Sequence, residues 1–179
     1  MRLTETPLSG AYLVHLSPHT DERGFFARSY TPQDFRALGV DAPALDQSSI
    51  AFNEKCATLR GMHYQLAPHE EHKLVRCTAG RVFDVIVDLR QGSQSFREWY
   101  GVELSAANRT ALFVPPGLAH GYITLCEHSE VYYMISGIYS AEHARGVRWN
   151  DPALGISWPI TPAVIAPRDA GYPLLGGTS

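Results

Sequence analysis

Cysteine is scarce in this chain: there are three in 179 residues. They stand at Cys56, Cys77 and Cys126, widely separated, odd in number and without paired spacing. That pattern argues against a disulfide framework and for reduced thiols in a cytoplasmic setting. Charge is sparse too. Charged residues are 18% of the sequence and the formal net charge is -3, which leaves no electrostatic footprint for nucleic acid or a membrane surface. The opening stretch Met1-Arg2-Leu3-Thr4-Glu5-Thr6-Pro7 lacks the apolar core of a secretory signal. No run reaches the length of a membrane-spanning helix. Internal repeats, low-complexity linkers and the glycine-rich dinucleotide fingerprint are all missing. One domain over residues 1–179 is expected, and its apolar content of 45% suffices to bury a core without staples.

What is present is a succession of short apolar or alternating runs punctuated by Gly, Pro and Asn. Strands are expected over 11–16, 24–30, 58–65, 73–78, 81–89, 99–104, 110–114, 121–125 and 130–135. In one of them Phe83, Val85, Val87 and Leu89 fall on one face, and Val82, Asp84, Ile86 and Asp88 on the other. A helix is signalled by Thr31 as N-cap and Pro32 as first helical residue, running to Leu38 and stopping at Gly39. From Trp149 onward the chain holds five of its twelve prolines and reads as an irregular packing tail with room for a helical turn. The pattern predicts an all-β sandwich or barrel with small helical additions.

Chemistry concentrates in Leu59-Arg60-Gly61-Met62-His63-Tyr64-Gln65, in His72-Lys73-Leu74-Val75-Arg76, and in the later turn Pro115-Pro116-Gly117-Leu118-Ala119-His120-Gly121. By strand alternation His63 shares a face with Leu59, Gly61 and Gln65. A neutral imidazole can take a proton, and an ammonium can hold the negative charge that then develops. Lys73 lies in an apolar strand, where it must face water or a pocket. Tyr132 and Tyr133 point to opposite faces, so one can line that pocket and serve as a general acid. Asp169, in Pro167-Arg168-Asp169-Ala170, is a turn aspartate that could fold back to orient an imidazole. The same histidines also suit a metal: His63, His69, His72, His120, Glu70 and Glu71 supply the ligand types of a three-His or two-His-one-carboxylate site. Pro-Pro-Gly-x-x-His resembles the second motif of metal-binding cupins. The first such motif needs His-x-His, and His63-Tyr64-Gln65 lacks its second histidine. The segment 67–72 reads as a solvated loop.

Ordered along nearly the whole chain, these motifs resemble the dTDP-4-dehydrorhamnose 3,5-epimerase family. The resemblance runs through Asp21-Glu22-Arg23-Gly24-Phe25-Phe26, the His63 and Lys73 segments, Phe83-Asp84-Val85-Ile86-Val87-Asp88-Leu89-Arg90, Pro116-Gly117-Leu118-Ala119-His120-Gly121 and Trp149-Asn150-Asp151-Pro152. It implies a jelly-roll, cupin-like barrel, a homodimer, no metal and no cofactor. It also implies an isomerase that inverts C3, C5 or both in a nucleotide-linked, dTDP-type 4-keto-6-deoxyhexose of deoxysugar biosynthesis. His63 would be the base, Asp169 its partner, Lys73 the enolate stabiliser and Tyr133 the acid. Arg60 and His120 would line the sugar site, with Arg23 and Gln47 at the nucleotide portion. The alternative is a metal-dependent cupin such as an oxygenase, using His63, His120 and a carboxylate. Three positions depart from the family pattern: Arg28 where a glutamate is usual, Ser49 for asparagine and Met134 for lysine. They bear on the choice of sugar nucleotide rather than on the acid–base groups.

Overall fold

The computed structural model describes residues 1–40 and 43–176, so Asp41, Ala42 and the end of the expected 1–179 span lie outside the described residues. Two antiparallel sheets face one another. The first runs, in spatial order, β1 (Arg2–Glu5), β2 (Tyr12–His15), β10 (Ala111–Val114), β7 (Lys73–Ala79), β12 (Ser129–Ile135) and β5 (Gln47–Asn53). The second runs β13 (Ala144–Gly146), β6 (Thr58–Gln65), β11 (Leu118–Thr124), β8 (Arg81–Asp88) and β9 (Trp99–Ser105), and β14 (Val164–Ile165) joins β6 in parallel. β3 (His19–Asp21) and β4 (Gly24–Phe26) form a separate hairpin. The fold is the all-β, cupin-like sandwich expected. No helix among the described residues is long and apolar enough to cross a membrane.

Three apolar layers hold it together. Val75, Cys77, Val82, Ile86, Leu104, Leu112, Leu118, Tyr122 and Val131 fill the space between the sheets. Outside the first sheet, Phe35 of helix α1 (Pro32–Ala37) packs on Val14, Leu74, Ala111 and Phe113. Outside the second, Val85, Val87, Met62 and Ala119 are covered by Val147 and by Leu154, Ile156 and Trp158 of the proline-rich tail. This explains why β8 is apolar on both faces: each face has a cover. The helix is capped as expected, with the Asp34 N–H donating to Thr31 Oγ1 at 3.0 Å. The tail does contain a helical turn, α2 (Pro167–Ala170).

Some boundaries differ. The strand expected over 24–30 ends at Phe26, because Tyr30 turns inward to pack edge-on against Phe35. The strand expected from 121 begins at Leu118, so His120 sits inside β11 rather than in the preceding turn. β1, β3, β5, β13 and β14 were not anticipated. Four of these are short or lie at sheet margins, and β5 is an edge strand whose exposed Ser48, Ser49 and Ile50 show no clean alternation.

Candidate active site

The site lies between the sheets at one end of the sandwich. Its position is set by a close approach of β6 and β11. Gly61 has φ +134°, and a Cβ there would come within 2.5 Å of Gly121 Cα, so neither strand tolerates a side chain at the crossing. The register shifts beside this contact and leaves His63 opposite His120. The second sheet therefore presents two histidines to the interior.

Each histidine is held by a buried carboxylate. Asp169, carried by α2 from 106 residues away, places Oδ1 2.8 Å from His63 Nε2. Its Oδ2 accepts the Gly61 N–H at 3.0 Å. Burial pushes the Asp169 carboxyl up, but the hydrogen bonds from His63 and Gly61 outweigh it and hold the group below the usual carboxylate range. The carboxylate thus assigns the proton of neutral His63 to Nε2 and leaves Nδ1 as the basic nitrogen. Asp84 on β8 plays the same part for His120, with Oδ1 and Oδ2 2.9 and 3.0 Å from its Nε2. The two faces of the run 81–89 thus diverge as the alternation required, Asp84 inward among Val82 and Ile86.

The first sheet supplies the opposing wall. Lys73 opens β7 and pairs with Ile135, while Tyr133, two residues earlier on β12, pairs with Val75 and Ser49. Tyr133 meets the edge of the His120 ring at 5.9 Å. Burial, reinforced by the neighbouring Tyr122 and Asp84, pushes its phenol well above the usual value, so it stays protonated and able to donate. A cavity of about 360 Å³ lies between these walls and opens to solvent. Its lining brings together His63, Lys73, His120, Tyr133 and Gln47 from the sequence reading.

Two anticipated residues lie elsewhere in this chain. Arg60 is exposed and turns toward β5, its Nε donating to Asn53 Oδ1 at 2.8 Å; its charge still reaches Tyr133. Arg23 sits on the β3–β4 hairpin, paired with Asp21 and with 84% of its side chain exposed, away from the cavity lining. Of the three departures, Ser49 lines the cavity, whereas Met134 packs on the helix-covered outer face and Arg28 is exposed outside the lining.

The loop 67–72 is less solvated than expected. Glu71 lines the cavity and pairs with Lys73, and His72 stacks on Phe113 at 5.6 Å. Gln65, Tyr64, Tyr139, Arg145 and Arg168 are lining residues that the sequence reading did not single out as a pocket. Two of them carried a local signal: Gln65, on the His63 face of its strand, and Arg168, next to Asp169. Among the described residues no three His, Cys, Asp or Glu groups converge as a metal ligand set: His63 and His120 are each turned to an aspartate of their own, so the donors of the metal-dependent reading do not come together.

Fold and site together define a cupin-like barrel whose interior carries acid–base groups on facing walls. Comparison with known proteins narrows this. The family described as dTDP-4-dehydrorhamnose 3,5-epimerase matches residues 5–176. A Sinorhizobium fredii protein of that name is 42% identical over 87% of this chain and 80% of its own. The Salmonella typhimurium one is 39% identical over 98% and 96%. A crystal structure of the Bacillus anthracis protein of that name, with TDP and PPi bound, superposes with TM-score 0.92 at 40% identity, covering 97% of this chain and 99% of that one. The chain belongs to the dTDP-4-dehydrorhamnose 3,5-epimerase family.

Proposed function

We propose that this protein is a carbohydrate epimerase acting on a dTDP-linked 4-keto-6-deoxyhexose at C3, C5 or both, in deoxysugar biosynthesis. The observation that carries the reading is that His63 and Tyr133 reach one cavity from opposite sheets, so they address opposite faces of a sugar held between them.

The 4-keto group acidifies the adjacent C–H bonds. His63 Nδ1 takes the proton, and the C–H electron pair moves into an enolate whose oxygen faces Lys73. The imidazolium is stabilised by Asp169 through Nε2–H. Tyr133 then gives its proton to the other face of the same carbon, the carbonyl reforms and the centre is inverted. Electrons balance without an oxidant or reductant. A preorganised cation at the developing oxyanion is typically worth about 3–4 kcal/mol.

His120, fixed by Asp84, would wall the sugar site and Gln47 would lie toward the nucleotide portion, whereas Arg60, expected at the sugar site, turns its side chain to β5 and would act there only through its charge. We read the molecule as one domain, acting in the cytoplasm as a homodimer. Support for the dimer comes from the β3–β4 hairpin, where Phe26 is 74% exposed beside Arg23, and from β5, where Ile50 is 63% exposed. Such apolar surface suits a second copy, and it would let Arg23 serve the nucleotide site of the partner. The test is deuterium incorporation from D₂O into dTDP-4-keto-6-deoxyglucose, followed by proton NMR. Exchange at C3 or C5 that His63→Ala abolishes is the expected result; a wild-type protein that exchanges neither position overturns the reading.

A further inference from the structure

Glu71 is the only carboxylate in the cavity lining among the described residues, and both of its oxygens are engaged. Oε1 lies 3.0 Å from Lys73 Nζ, with only 13% and 9% of the two side chains exposed. Oε2 accepts from Gln65 Nε2 at 3.0 Å. Gln65 is in turn held from two sides: its Nε2 also reaches the His69 carbonyl at 2.9 Å, and its Oε1 accepts the Ser140 N–H at 2.7 Å. That last bond fixes which end of the amide faces Glu71. It also ties the assembly to the loop bearing Tyr139, another cavity residue.

An ammonium has three N–H groups. In Lys73 one points to Glu71 and one to the His63 carbonyl at 3.3 Å, so the third is free for the cavity. A lysine on its four-carbon stem is otherwise a loosely held charge. Burying an ion pair is costly in desolvation and a poor source of stability, but a fixed cation is what a developing oxyanion requires.

We propose that Glu71 is a positioning residue for Lys73, anchoring the ammonium between itself and the His63 carbonyl so that the remaining N–H meets the enolate oxygen. The proposal rests on the epimerase reading above. The acceptor at position 71, backed by Gln65, is the essential element.

The test is steady-state kinetics on the intact protein with dTDP-4-keto-6-deoxyglucose. Glu71→Ala, and Glu71→Met as a variant of similar length without an acceptor, are expected to lower kcat by about tenfold or more, since a misplaced reacting group is costly. KM should stay within about threefold. Glu71→Gln keeps one acceptor for Lys73 but sets its NH₂ against Gln65 Nε2, so it should recover kcat only in part, to at least about threefold above Glu71→Met. In a Lys73→Ala background, Glu71→Ala should cost less than about twofold further, because it acts through the lysine. The proposal is overturned if kcat survives both acceptor-free variants, if the loss falls on KM, if Glu71→Gln is as slow as Glu71→Met, or if the Glu71 and Lys73 losses multiply independently. Absence of deuterium exchange by the wild type overturns the epimerase reading and this role with it. Wild-type exchange alongside unimpaired Glu71→Ala and Glu71→Met overturns the role of Glu71 alone.

Discussion

Asp169→Asn isolates the carboxylate that orients the proposed base. Asp169 meets two donors, His63 Nε2–H at 2.8 Å and the Gly61 N–H at 3.0 Å. A carboxylate offers an acceptor to each; an asparagine offers one. If the amide oxygen stays on Gly61, its NH₂ faces Nε2, and the ring proton must shift to Nδ1, the nitrogen that should receive the substrate proton. If the oxygen stays on His63, the NH₂ meets the Gly61 N–H and leaves buried donors unpaired, at about 1–3 kcal/mol. In both cases the negative charge beside the imidazolium is gone, a loss of about 1.5–3 kcal/mol. Together these come to about 2.5–6 kcal/mol, or a fall of about 10²–10⁴ in the exchange rate. Deuterium incorporation at C3 and C5 under saturating substrate measures it, with thermal unfolding of the same sample reporting the folded fraction. A folded Asp169→Asn protein that exchanges within about fivefold of wild type, under about 1 kcal/mol, refutes the dyad.

Other expectations concern the acid, the carboxylates and the scaffold. Tyr133→Phe should retain exchange while inversion falls about 10²-fold, seen as deuterated substrate returned unepimerised. Asp88 is buried, yet hydrogen bonds from Arg90, Ser93 and Ser95 outweigh the burial and hold its carboxyl far below the usual range. Its folded pKa lies below its unfolded value of about 3.9, so its contribution is full above that pH and is lost as pH falls through the folded pKa. Asp88→Asn should cost about 3 kcal/mol at neutral pH and flatten the acid limb of a stability–pH curve measured by denaturant unfolding. A Cβ at position 146 would lie 2.3 Å from the Tyr172 ring, which itself meets the His63 ring edge-on at 5.8 Å. Gly146→Ala should therefore destabilise by about 1–3 kcal/mol and slow exchange, and adding Tyr172→Ala should cost less than the sum. Sedimentation equilibrium should give twice the chain mass, and Phe26→Ser should shift the distribution toward monomer.

How legible the site was depended on what kind of signal each residue carried. Lys73 stood out because a charge in an apolar strand needs a destination, and Tyr133 because adjacent tyrosines on a strand must diverge. The same alternation turns Met134 away from the cavity, although its sequence neighbour lines it. Asp169 carried only a turn signature of its own; its pairing with His63 spans 106 residues, and the family resemblance pointed to it. Glu71 was misread because composition alone cannot separate a solvated acidic loop from one folded over a pocket. The interior strands were visible in their apolar runs. β5 and β13 were not, since edge strands draw much of their order from backbone pairing with a neighbour rather than from a buried face of their own.

The facing arrangement of His63 and Tyr133 has a consequence for how stereochemical outcome can change. The two groups belong to different sheets, so the gap between proton acceptor and proton donor is a core dimension, set by how tightly Val75, Ile86 and Val131 keep the sheets together. Enlarging or trimming one of those side chains alters the thickness of the sandwich without touching the sugar. The balance between returning a proton to the face it left and delivering it to the other is then adjustable from the hydrophobic interior, with the reactive groups themselves unchanged.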